Sequence, residues 1–117
     1  MNKTELELRT KAFALRVIRF VSALPRNRPA DVLGYQLLKS ATSIGANYRE
    51  ANRAESRADF VHKIGIVEKE ASEAQYWLEL CDEADLGGQG ERRWLLGESA
   101  ELLAIFTSSG RTAKGRR

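Results

Sequence analysis

The side chains able to do chemistry in this chain are few, and their spacing limits what they can do. His62 and Cys81 are its only imidazole and its only thiol. Both fall within one long helical pattern, about 28 Å apart by helical rise, so a Cys–His nucleophile pair cannot meet within one chain. A Ser-His-Asp arrangement has no other histidine to use. A di-iron bundle needs glutamates and two Glu-x-x-His motifs, and the nearest approach is Asp59-Phe60-Val61-His62, where Asp59 serves better as a capping residue. One cysteine can neither close an internal disulfide nor build a zinc site alone. Gly87-Gly88-Gln89-Gly90 lacks the Gly-Lys-Ser/Thr ending of a phosphate loop. No catalytic residue, metal site or cofactor is expected, and an enzyme is excluded as the leading reading.

Two polar sets remain. The first is a ladder within Ser40-Ala41-Thr42-Ser43-Ile44-Gly45-Ala46-Asn47-Tyr48-Arg49-Glu50-Ala51-Asn52, a loop-like composition set in a helical pattern. Gln36, Ser40, Ser43, Asn47 and Glu50 follow one another in steps of four and three, which keeps them on one helix face. Leu33, Leu37, Ile44, Tyr48 and Ala51 form an apolar stripe beside them. A polar row at the edge of a core must find hydrogen-bond partners or cost stability. Glu73, on the next helix, joins this set. The expectation is a structural ladder, with a polar pocket between subunits as the sharper alternative. The second set is arginine-rich. Arg9, Arg16, Arg19, Arg49, Arg53 and Arg57, with Arg26 and Arg28 beside them, are candidate nucleic-acid contacts. They lack RNA-binding motifs and interleaved aromatics, so any binding would be backbone-directed and salt-sensitive. Salt bridges to Glu70, Glu73 and Glu79 across subunits are the competing use.

The elements that must position these residues are helical. The chain has 117 residues, enough for one domain with a real core. Its 43% apolar and 30% charged content fits a globular protein rich in helix formers. Net charge is +3, with residues 1–57 basic and the stretch 68–86 acidic. No apolar run reaches the roughly 18 residues of a membrane span, and the N-terminus has no signal-peptide core, so a cytoplasmic location with no membrane partner is expected.

Helix one is expected over 5–24, with Leu6, Phe13, Val17, Phe20, Val21 and Leu24 on one stripe and Leu8, Leu15 and Ile18 on a weaker second one. Leu24-Pro25 ends it. Helix two covers 31–54 with Asp31 as N-cap, and its internal Gly34 and Gly45 suggest close helix approach or a bend. Ser56-x-x-Asp59 opens helix three, over 58–85, whose seam of Phe60, Ile64, Val67, Ala71, Ala74, Leu78 and Cys81 is nearly an ideal heptad. That helix has a second apolar side. Ile66, Glu70, Glu73, Trp77 and Leu80 are the candidate oligomer interface, because a monomeric bundle needs one apolar face per helix and aromatics concentrate at interfaces. Helix four, over 91–107, buries Leu95, Leu102, Leu103 and Phe106, and Ser108-Ser109-Gly110 ends it. The domain assignment is a bundle over 1–107 and a disordered basic tail over 108–117. Four helices with short connectors imply an all-α, antiparallel up-down-up-down four-helix bundle.

The run Gln36-Leu37-Leu38-Lys39-Ser40-Ala41-Thr42-Ser43-Ile44-Gly45-Ala46-Asn47-Tyr48-Arg49-Glu50-Ala51 resembles the signature of the four-helix bundle proteins encoded in intervening sequences of bacterial 23S ribosomal RNA genes. The resemblance continues through Ser56-Arg57-Ala58-Asp59-Phe60 and Ala71-Ser72-Glu73-Ala74-Gln75-Tyr76-Trp77-Leu78, and spans about residues 8–106. Many relatives carry proline where this chain has Gly45. The resemblance implies a left-handed up-down bundle that assembles as a homopentamer. A related protein, the accessory variability determinant of diversity-generating retroelements, works with a reverse transcriptase and binds nucleic acid through a basic surface. No biochemical activity is established for the intervening-sequence proteins themselves. The expectation is a non-enzymatic homo-oligomeric assembly or adaptor protein that contacts RNA, DNA or a nucleic-acid enzyme. A purely protein-binding scaffold is the alternative, and a small carboxylate-dependent enzyme a distant third.

Overall fold

A computed structural model describes residues 1–115. Arg116 and Arg117, part of the expected basic tail, lie outside the described residues. Four helices follow one another: α1 (Lys3–Ser22), α2 (Arg28–Ala51), α3 (Arg57–Glu83) and α4 (Gln89–Ala113). Each start has a local chemical cause. Asn2 caps α1 in a capping box, its side chain accepting from the Glu5 amide while the Glu5 carboxylate accepts from the Asn2 amide. Asn27 caps α2 by accepting from the Ala30 amide. Ser56 caps α3 by accepting from the Asp59 amide, as its spacing predicts.

The end of α3 is a Schellman turn. Asp85 takes φ 54°, and the Leu86 and Asp85 amides donate back to the Cys81 and Asp82 carbonyls. Gly87 follows at φ 82°, with the Phe20 ring where a β-carbon would sit. Arg92 then locks the turn. It is 5% exposed, and its guanidinium donates to Asp82 at 2.8 Å, to Asp85 at 3.3 Å and to the Gly87 carbonyl.

The helix ends lie one to three residues from the expected bounds, except the end of α4, which lies six beyond, and two of the shifts have a local cause. Helix α2 starts at Arg28 with Asn27 as N-cap, not at Asp31, because Pro29 sits in the first turn, where no amide donor is needed. Helix α4 runs through Ser108-Ser109-Gly110 to Ala113. Gly110 is buried there, 3.6 Å from Ile64 and 3.4 Å from Glu68 by its would-be β-carbon, and Arg57 Nε donates to the Ala113 carbonyl at 2.9 Å. Packing against α3 thus carries the helix past residues that favour a stop.

Neighbouring helices run antiparallel. Thr10 of α1 meets Gly45 of α2, and Val21 meets Gly34. Glu68 pairs with Thr107, and Asp82 with Arg92, between α3 and α4. α1 touches α2 and α4, α3 touches the same two, and α1 and α3 lie diagonally. The result is an up-down-up-down bundle of 44 × 24 × 22 Å. Its core takes Phe13 and Val17 from α1, Leu37 and Ile44 from α2, Ile64 and Leu78 from α3, and Leu95, Leu102 and Phe106 from α4, all fully buried. Tyr48 packs tilted on Phe106 with ring centres 5.2 Å apart. Both glycines inside α2 face α1, and close helix approach accounts for them. No helix among the described residues is long and apolar enough to cross a membrane.

Candidate functional site

Three members of the polar ladder, Ser40, Ser43 and Asn47, are satisfied within their own helix. Ser40 is 2% exposed, and its hydroxyl donates to the Gln36 and Leu37 carbonyls of its own helix. Ser43 donates to the Lys39 carbonyl at 2.7 Å, and the Asn47 amide donates to the Ser43 carbonyl at 2.8 Å. Small polar side chains inside a helix can back-bond to the preceding turn in this way. Gln36 is half-buried at the edge of the row. Glu50 is exposed, with Lys63 of α3 at 3.9 Å, and Glu73 is exposed on α3. The ladder therefore lies along the α2–α3 edge, with its buried hydroxyl partnered inside the chain.

The second side of α3 is half-buried. Ile66, Glu70, Trp77 and Leu80 are each partly covered, and Trp77 packs on the edge of the core with Tyr76 edge-on at 5.1 Å. Tyr76 itself is 52% exposed. Burial, then the neighbouring Glu73, pushes the Glu70 carboxyl up, while Lys69 and Lys39 of α2 pull it back.

The arginines divide into two groups. Arg9 grips Glu98 of α4 with two bonds of 2.7 and 2.8 Å and reaches Glu101 at 2.7 Å. Arg16 grips Glu91 with two bonds of 2.9 and 2.8 Å and lies 3.5 Å over the Trp94 ring. Hydrogen bonding to these carboxylates raises both guanidinium pKa values, and Arg16 holds Glu91 below the ordinary carboxylate range. Arg57 is tied to the end of α4. Arg19, Arg49 and Arg53 remain solvent-facing, with Arg49 3.9 Å from Glu7. The partners of Arg9 and Arg16 are thus on α4 of the same chain. The sequence carried a signal for this: Arg9 and Arg16 are seven apart, as are Glu91 and Glu98, which matches two antiparallel helices.

The outer face of α1 carries apolar side chains as well. Leu8, Leu15 and Ile18, its weaker stripe, are 61%, 43% and 41% exposed. Leu8 and Lys11 border a groove of about 340 Å³ whose far wall is Thr42, Ala46 and Arg49 of α2. Nothing here is arranged for covalent chemistry. His62 is exposed and Cys81 buried, with burial pushing the thiol up despite Arg92 nearby. Among the described residues no three metal-ligating side chains gather.

Comparison with known proteins agrees with this architecture. The profile of the 23S rRNA-intervening sequence proteins matches residues 3–108. A crystal structure of a Bacteroides thetaiotaomicron protein, described as of unknown function and from the S23 ribosomal protein family, superposes with a TM-score of 0.85. It is 34% identical, and the match covers 95% of this chain and 99% of that one. No curated protein matches. With a family profile covering nearly all of the bundle, the chain belongs to the 23S rRNA-intervening sequence protein family.

Proposed function

We propose that this protein is a non-enzymatic, homo-oligomeric assembly scaffold that works through its helix faces. The observation that carries this reading is the outer stripe of α1, where Leu8, Leu15 and Ile18 stand in water on a helix whose core face is already filled. An apolar row along one helix face, rimmed by polar residues, has the form of a surface that a protein partner covers. The family resemblance supplies the finer expectations of a left-handed bundle and a pentamer. Sedimentation equilibrium tests the reading: it expects a mass several times the 13.1 kDa of one chain, and a monomer at micromolar concentration overturns it.

Backbone-directed RNA contact is the second reading, favoured by the solvent-facing Arg19, Arg49 and Arg53. Several copies of one basic surface would strengthen weak contacts. Filter binding at low and raised salt tests it: retention that falls steeply with salt supports it, and no retention at low salt removes it.

A further inference from the structure

Two outward seams of this bundle complement each other, and they lie on diagonal helices. On α1, Thr4, Leu8, Lys11, Leu15, Ile18 and Ser22 follow in steps of four and three, with Leu15 and Ile18 half-exposed and the others open to solvent. On α3, Ile66, Glu70, Glu73, Trp77, Leu80 and Ala84 follow in the same steps. Both are heptad seams of the kind that cross at shallow angles. The first carries one charge, the cation Lys11, and the second carries two acids. Among the described residues neither Lys11 nor Glu73 forms an ion pair within the chain.

We propose that the α1 seam of one copy docks, in parallel, on the α3 seam of the next. This rests on the homo-oligomer reading above and names the faces that make it. Aligned in parallel, step for step, Lys11 meets Glu73, Leu15 meets Trp77 and Ile18 meets Leu80, with Leu8 on Glu70 the one apolar side chain set against an acid. The antiparallel overlay instead sets Leu15 and Ile18 against Glu73 and Glu70. α1 and α3 already run in the same direction within one bundle, so a ring whose axis follows the helices keeps them parallel between copies. The contact joins two different faces, which makes the assembly head-to-tail. Both seams lean towards α2: Leu8 and Lys11 share a groove with Thr42 and Ala46, and Glu70 feels Lys39. Two faces set at less than a straight line curve the chain of copies, and the head-to-tail contact ends in a ring where that rotation closes.

Light scattering on a sizing column, over a dilution series, tests this with the full chain. Leu15→Glu places a charge on a position that is 43% exposed in the single bundle, and it is expected to give folded monomers, with circular dichroism checking the fold. Lys11→Glu and Glu73→Lys are each expected to weaken association about tenfold or more through like-charge contact. The double variant Lys11→Glu/Glu73→Lys is expected to recover most of that loss. A wild-type monomer overturns the homo-oligomer reading itself. A wild-type oligomer left intact by Leu15→Glu overturns only the seam pairing. Single variants that weaken assembly without recovery in the double overturn the direct Lys11–Glu73 contact.

Discussion

Removing Arg9 tests how α1 is held to α4. The guanidinium makes two bonds to Glu98 and a third to Glu101, and the Arg9 and Glu98 side chains are 23% and 13% exposed. Exposed ion pairs contribute about 0.2–1 kcal/mol, whereas hydrogen bonds to charged groups in more buried settings contribute about 1.5–3 kcal/mol. This pair falls between, because Glu98 is largely covered while Arg9 still reaches water. Arg9→Ala leaves the Glu98 carboxylate desolvated without its partner, at a cost of about 2 kcal/mol. In a double-mutant cycle with Glu98→Gln, a coupling of about 1 kcal/mol or more is expected. Urea melts of the four proteins at one concentration measure it. Raising salt weakens the coupling only partly, because partly buried pairs are screened less than exposed ones. A coupling below about 0.3 kcal/mol, the scale of ordinary non-additivity, refutes the geometry on which this reasoning rests.

Other outcomes follow from the same structure. Gly65→Ala, exposed in mid-helix with open space around it, should stabilise by about 0.5–1 kcal/mol. Gly45→Ala should destabilise despite the same propensity gain, because its β-carbon would meet Thr10 Oγ1 at 3.1 Å, and Thr10 is fully buried and tied to the Glu7 carbonyl. Thermal melts of the two variants compare them directly. Arg92→Met should cost about 2–3 kcal/mol by urea melt, since Asp82 and the Gly87 carbonyl lose their donor. Glu91 has a depressed folded pKa, so its stabilisation is present above the ordinary glutamate value of about 4.3 and is lost as pH falls through the lower folded value. Melts of Arg16→Met between pH 2 and 6 should show a flatter dependence than wild type. Glu70 has the opposite sign, with stability rising as pH falls, so Glu70→Gln should raise Tm at pH 7.

Much of this fold is legible in the sequence because the helices obey one period. The α3 seam from Ile64 to Cys81 is fully buried as its heptad spacing predicts, with Phe60 half-covered at the end. Helix ends were harder to read. Pro29 reads as a connector residue, yet in a first turn it needs no donor, and Gly110 reads as a stop until Ile64 and Glu68 pack on it. The ladder stood out because its spacing is helical, while its partners are carbonyls of the same helix, which no residue pattern reveals. The arginine partners were obscured for a different reason. Charge segregation along the chain pointed towards α3, whereas the antiparallel register brings α4 alongside α1. The weak stripe of Leu8, Leu15 and Ile18 was visible as a pattern, and only its exposure gives it meaning.

Native mass spectrometry of wild type beside Leu15→Glu tests the scaffold reading most directly. A single closed species several times 13.1 kDa is expected for wild type, and a folded 13.1 kDa monomer for the variant. A wild-type monomer, or a variant that assembles as wild type does, contradicts it.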